Sequence, residues 1–204
     1  MNETSLEFRH DVQDTCDRYL DMFPDETERL STLQHYLHDS SVDLRLRSTI
    51  PEGHLCASGI LILPGDKILM LEHKSLGIWV VPGGHYDLED GELFQTAIRE
   101  TTEETGLTVP IKLHPWHLQY GIPLDIDTHP IPQNDKKGEG AHQHFDFRYV
   151  LVVEDPAQVV TQLALDANEV TNYAEVPIAE VSPASSIASA VRKLNLLTTA
   201  LSID

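Results

Sequence analysis

Along the first forty residues, apolar positions recur at three- and four-residue intervals. Leu6, Val12, Cys16, Tyr19, Leu20 and Phe23 fall on one stripe and predict a helix over 5–22, which Pro24 breaks. Asp25, with Glu28 three residues on, predicts the capping box of a second helix over 25–38, striped by Leu30, Leu33, Tyr36 and Leu37. From His54 the period changes. The runs 55–63 and 67–72 flank Pro64-Gly65-Asp66 and predict a hairpin, and 78–81 predicts a short strand entering a Gly-Gly turn. A helix follows over about 90–105. Residues 109–120 and 123–131 read as extended, 133–140 as a polar loop, 142–153 as a strong strand and 168–176 as a strand or turn. Residues 185–201 read as a closing helix with Ile187, Val191, Leu194 and Leu197 inward. Strands interrupted and closed by helices predict an α/β fold with a mixed sheet. The N-terminal helical pair, residues 1–50, is expected to pack on a core of 51–204.

The chain has 204 residues, enough for one domain with a short appendage. Its formal charge is −19, with 33 acidic against 14 basic residues, a field that repels polymeric nucleic acid and anionic membranes. A small phosphorylated metabolite or nucleotide arriving with its metal stays compatible with that field. The two cysteines, Cys16 and Cys56, are too few for a disulfide framework and lack metal-ligand spacing. Cys56, in an apolar run, is expected to be a buried small hydrophobe. The N-terminus has no basic segment followed by an apolar one, and no run is long enough to span a bilayer. The expectation is a soluble cytoplasmic protein.

The chemistry concentrates between Gly84 and Leu107. Glu100, Glu103 and Glu104 lie at helical spacing i, i+3 and i+4, within about a third of the helix circumference. Phe94, Ala97, Ile98, Thr101 and Thr105 fall on the other side. Three like charges on one face destabilise a bare helix by a few tenths of a kcal/mol per pair. A divalent cation would offset that, since Mg²⁺ and Mn²⁺ take carboxylate oxygens and bridge to phosphates. A solvated acidic face is the plain alternative. Pro82-Gly83-Gly84 before the helix and Gly106 at its end favour a built site, with Arg99 placed to hold a neighbouring carboxylate.

The segment from Gly84 to Leu107 resembles the signature of the Nudix hydrolases. That pattern is glycine, five residues, glutamate, seven residues, then Arg-Glu-aliphatic-x-Glu-Glu-x-Gly-aliphatic. Arg99 to Leu107 match its second half, with Thr101 at the usual aliphatic position. Arg99 follows Gly84 by fifteen residues rather than fourteen, so the first acid of the pattern falls on Asp90 counted forward and on Glu92 counted back. The resemblance implies a Nudix α/β/α sandwich over 51–204 and hydrolysis of a diphosphate bond in a nucleoside diphosphate linked to a group X. It implies Mg²⁺ or Mn²⁺ held by Glu100, Glu103, Glu104 and the Gly84 carbonyl. Glu103 or Glu104 is left as general base, and Arg99 orients the acids. Two rivals are a binding or sensor module that has lost catalysis and an isomerase on the same fold.

On the strand 142–153, His142, His144, Asp146 and Arg148 share one face, opposite Phe145, Phe147 and Tyr149. They are candidates for substrate or metal binding, with an exposed face of paired charges as the alternative. Asp125, Asp127 and His129 alternate similarly and predict an exposed edge strand protected by charge, with a pocket wall as the alternative. Trp79 and Trp116 are expected in the core rather than stacked on a base. Within the resembled family, a proline about where Pro123 stands is associated with ADP-ribose hydrolysis. ADP-ribose or a nucleotide sugar is therefore the first expectation for substrate, and a nucleoside triphosphate the second. Whether the chain forms a homodimer is left open.

Overall fold

The computed structural model describes residues 3–47, 52–133, 135, 138–194 and 196–197. The expected boundary at 50/51 lies outside them. Helix α1 (Glu3–Met22) is followed by a single 3-10 turn, Pro24–Glu26, and by α2 (Thr27–His38). Asp25 does not cap α2. Pro24 starts the turn early, so Asp25 lies within it and the residue preceding α2 is Glu26, whose carboxylate instead accepts from Tyr19 and Arg29. At the other end of α2, Arg9 Nη1 donates to the carbonyls of Tyr36 and Leu37, both at 2.8 Å, covering groups that a helix terminus leaves open. Val12, Cys16, Tyr19, Leu30, Leu33 and Leu37 join one buried cluster with Ile60, Phe145 and Leu151 of the sheet. Each such side chain stabilises by roughly 1.5–3 kcal/mol when buried.

Strand β1 (His54–Leu63) is central. It runs parallel to β7 (His142–Val153), in register from His54↔His144 to Leu61↔Leu151. Its other edge takes β4 (Gly83–His85) at Cys56–Ser58 and β2 (Lys67–His73) at Ile62–Leu63, both antiparallel. β2 also pairs with β3 (Ile78–Val80) and β8 (Val170–Pro177), while β7 takes β5 (Ile111–Leu113) and β6 (Asp125–Ile131), all antiparallel. The parallel pair within this mixed sheet requires a crossover, and α3 (Leu93–Thr105) lies on it.

Alternation along β1 sorts the two faces of the sheet. Gly59 lies under α3, where a Cβ would collide with Thr101 Oγ1, so glycine lets helix and strand approach closely. Leu55 and Ala57 share that face. His54, Cys56 and Ser58 point to the other, as does Arg148, whose Nη1 donates to Ser186 O (2.8 Å) just before α6 (Ala188–Lys193). Helices on both faces make the α/β/α layering.

Several elements differ from expectation. Residues 109–120 are extended only at β5, because His114 caps a short helix, α4 (Pro115–Tyr120). The His114 ring accepts from Trp116 N, Pro115 takes the first turn and Gly121 ends the helix at φ 64°. Trp116 is buried, but Trp79 is 41% exposed, since among the described residues β3 pairs with β2 alone and leaves that side open. The closing helix covers Ala188–Lys193, with Ile187, Leu194 and Leu197 buried. Residues 198–201 lie outside the described residues. Among the described residues, no helix is long and apolar enough to cross a membrane.

Candidate functional site

Helix α3 begins at a reciprocal capping box in which the Glu92 side chain accepts from the Gln95 backbone and the Gln95 side chain accepts from Glu92 N. Gly106 ends it at φ 65°, packed so closely that a Cβ would meet Ala164. With both termini fixed, the acids take set positions. Of the two candidates for the first acid, Glu92 is engaged in capping. Asp90 sits in the turn and accepts from Arg99 Nε (2.7 Å), Arg99 Nη2 (2.9 Å), Thr96 Oγ1 (2.7 Å) and Asp87 N (3.1 Å). Burial pushes Asp90 up, but the bonds from Arg99 and Thr96 outweigh it and hold the carboxyl below its ordinary range.

Arg99 fans across the site. Besides Asp90, its Nη1 donates to Glu100 Oε1 (2.8 Å) and Glu103 Oε2 (3.0 Å), and its Nη2 to the His85 carbonyl (3.0 Å). The three helix acids are graded in burial. Glu103 has a side chain 58% exposed, Glu100 13%, and Glu104 is 6% exposed. Glu104 is not on the solvated acidic face of the plain alternative; it accepts from Gly83 N (3.0 Å). Burial raises it to about 8, beyond what the Gly83 bond recovers, and Glu100, Glu169 and Asp166 add repulsion. Glu100 is also raised, first by burial and, among the like charges, by Glu103 and Glu169.

Sequence reasoning missed Asp166 and Glu169. They belong to the segment before β8 that docks on the end of α3, where Ala164 N donates to Thr105 O (2.8 Å) and Asp166 N to Glu104 O (3.1 Å). Nothing in that short acidic stretch marks it as a neighbour of Glu104, because the docking joins residues some sixty positions apart.

The residues fit a hard divalent cation. Gly84 faces Glu100 so closely that a Cβ would lie 2.5 Å from the carboxylate and push it aside. Glu100 and Glu104 are carboxylates that burial and neighbouring acids hold toward the neutral form, and a cation would stabilise the charged one. Oxygen-only donors of this kind suit Mg²⁺ or Mn²⁺.

The strand candidates on β7 lie on the opposite face and are not exposed. Arg148 is 2% exposed. It donates to Asp146 (2.9 Å), Asp125 (3.0 Å), Asp127 (2.9 Å) and the Ser186 carbonyl. Asp146 also accepts from Ser58 Oγ (2.8 Å). Asp125 corrects the edge-strand expectation. β6 lies at the rim of the sheet, yet Asp125 is fully buried, because Arg148, Arg29 Nη2 (2.9 Å) and Lys193 Nζ (2.7 Å) close on it. His142 and His144 form a separate group with His54, His85 and His129, in which neighbouring rings lie 4.7–5.6 Å apart. Pro123 is buried in the link from α4 to β6. A cleft of about 510 Å³ opens between α1, α4 and the start of α3, and none of the three helix acids lines it.

Comparison with known proteins places the chain in a family. Residues 53–195 match the model of the NUDIX domain. A probable DHNTP pyrophosphohydrolase of Lactococcus lactis is 34% identical over 136 residues, covering 67% of this chain and 75% of that protein. The human m7GpppN-mRNA hydrolase NUDT17 is 29% identical over 115 residues, 53% of this chain and 33% of that protein. Among solved structures, an Ap4A hydrolase of C. elegans aligns at TM-score 0.48 and 20% identity, over 72% of this chain and 98% of that one.

Proposed function

The chain belongs to the Nudix family and is a pyrophosphohydrolase, and from that premise we propose that it uses Mg²⁺ or Mn²⁺ to cleave a diphosphate bond in a small nucleotide-like substrate. The observation that carries this reading is Glu100 against Gly84 and Glu104 on Gly83 N, with Arg99 bonded to Glu100 and to Glu103 on the same helix. Nudix enzymes generally use divalent metals. Glu100, Glu103 and Glu104, with the Gly84 carbonyl, would hold the ion, which when bound neutralises charge on phosphoryl oxygens and activates water. Arg99 is the positioning residue, since it touches two of the acids and is itself clamped by Asp90. Glu103, open to solvent, and Glu104, buried against Gly83, are the two candidates for general base. The acids of the second half of the signature are all present, which favours an enzyme over a sensor that has lost catalysis.

Two substrate classes compete. ADP-ribose or a nucleotide sugar rests on Pro123, whose burial gives it no direct way to read a substrate. A triphosphate is favoured by the 34% relative, named as a DHNTP pyrophosphohydrolase. A screen of NDP-sugars, dinucleotides, nucleoside triphosphates and dihydroneopterin triphosphate with Mg²⁺ or Mn²⁺, read by mass spectrometry, separates them. Cleavage products from any of these substrates, lost in Glu104→Gln, support the hydrolase, and which substrate turns over decides the class. An isomerised product with its phosphates intact, or equal turnover in wild type and variant, overturns the reading.

We further propose that the helical pair forms one folding unit with the sandwich, since Tyr19 and Leu30 are fully buried against it. Deleting residues 1–47 is expected to lower the melting temperature and solubility. An unchanged melting temperature with full activity would count against it.

A further inference from the structure

On the sheet face away from α3, adjacent strands bring together side chains that the sequence scatters. His54 and Cys56 alternate on β1, His144 stands beside His54 on β7, and His85 stands beside Cys56 on β4. One ligand atom from each lies within 4.8 Å of every other. We propose that His54, Cys56, His85 and His144 form a second metal site, a tetrahedral one of the kind taken by Zn²⁺.

The geometry is close to closure. Ligands at 2.0–2.3 Å around one tetrahedral ion lie about 3.3–3.7 Å apart, so the set needs to contract by about 1 Å. His54 Nε2 and His144 Nε2 already face each other at 3.1 Å. His54 is 2% exposed, and its Nδ1 is buried with no hydrogen-bond partner among the described residues. In a neutral imidazole one nitrogen donates and the other accepts. Either tautomer therefore leaves one buried nitrogen of His54 unmatched, a cost that buried polar groups normally avoid.

The chemistry of the donors points the same way. An anion site would need charged histidines. Burial first, then the neighbouring rings, pushes His144 down to about 2, and burial chiefly pushes His54 to about 4. These two rings are thus neutral near pH 7, the form that ligates. Burial likewise pushes the Cys56 thiol well above its usual range. An ion would reverse this, forming a metal–sulfur bond as the thiol proton leaves to solvent, one proton per ion. Three imidazoles and a thiolate select Zn²⁺ or Co²⁺ over Mg²⁺, so this set and the carboxylates of α3 sort two different metals. His85 and His144 are half-buried and give the entry side. His142, whose ring Nδ1 lies 2.7 Å from Gly140 O, packs on His54 and His144 as a wall. A bound ion would tie β4 to β1 and β7, and so hold Gly84, next to His85, against Glu100.

Co²⁺ is the probe, titrated into the metal-stripped full chain. The expected result is one Co²⁺ per chain that carries tetrahedral d–d bands and a thiolate-to-cobalt charge-transfer band, with one proton released and displacement by Zn²⁺, whatever further Co²⁺ the α3 carboxylates take up without that band. Cys56→Ser should lose the charge-transfer band and keep the d–d bands. His85→Ala, at a half-buried position that keeps folding safe, should weaken binding by about 100-fold or more. Glu100→Gln should leave the charge-transfer band unchanged, which separates this site from that of the proposed hydrolysis. No stoichiometric growth of the charge-transfer band in a chain shown folded by circular dichroism overturns the proposal. So does a charge-transfer band that survives Cys56→Ser, or cobalt binding lost in Glu100→Gln and kept in His85→Ala.

Discussion

Around Asp125, three cations meet the acids. Arg148, Arg29 and Lys193 close on Asp125, Asp127 and Glu26, with Tyr19 and Ser189 completing the bonds. Around Glu104, on the other face of the sheet, Arg99 alone answers Asp90, Glu100 and Glu103, while Asp166 and Glu169 add further negative charge. The first cluster is largely buried, whereas in the second Glu104 is buried and Glu103 and Glu169 are exposed. With Asp146, also held by Arg148, the first sets four acids against three cations, so only the first is close to balanced from within. Burying a charge is tolerated when it is paired and fully hydrogen-bonded. The cluster at Asp125 meets that condition without help and reads as structure. The cluster at Glu104 does not, and the missing positive charge is what a cation would supply. Charge balance, rather than residue type, separates the two.

The largest expected effect tests the unbalanced side. Glu104→Gln should lower turnover by about 10³-fold or more, since metal-bound charge stabilisation is worth several kcal/mol. The same variant should leave the melting temperature of the metal-free protein unchanged or raised, because it removes a buried carboxyl whose charge has no cation of its own. A marked loss of stability with activity retained would reverse the comparison.

Asp125→Ala probes the balanced side. Removing it strands Arg148 and Lys193 beside fewer acids, at an expected cost of about 3–5 kcal/mol in urea unfolding. A cost below about 1 kcal/mol would mean that the cluster is not the staple described here.

Arg99→Ala falls between the two regions in kind. It should reduce kcat/KM by about 10–100-fold, as for a residue that orients ligands, and shift the metal concentration needed for half-maximal rate. Asp90→Asn should act in the same direction and more weakly, whereas Glu92→Gln should not change the metal requirement. If Glu92→Gln and Asp90→Asn exchange these outcomes, the first acid has been misplaced.

The smallest effect is in pH. Burial opposes ionisation of Asp125, but Lys193, Arg148 and Arg29 outweigh it and hold the carboxyl well below its usual range. A depressed carboxyl contributes stability that is fully present above its unfolded value, about 3.9, and is lost as pH falls through the folded value. The drop in urea midpoint from pH 7 to pH 3 should therefore be smaller in Asp125→Asn than in wild type. Equal drops in both would show that other carboxyls carry the acid limb.

Elements whose signals are local were legible along the chain. The alternation in 142–153, the hairpin around Pro64-Gly65 and the run from Arg99 to Gly106 rest on neighbours a few positions apart, and each formed near its expected bounds. The same locality misled at 109–120, where the cap formed by His114 and Pro115 turned an apparently extended run into a helix. Which acid of the turn Arg99 holds depends on folding in three dimensions, because the extra residue in the turn is absorbed before Asp90 reaches back to it. Folding also buries Asp125, since its cations come from α2, β7 and α6, and brings Asp166 and Glu169 toward Glu104. Spacing along the chain kept Cys56 from reading as a ligand, yet strand pairing sets it beside three histidines. Strand register is a long-range property, and neither periodicity nor composition encodes which distant side chains it places face to face.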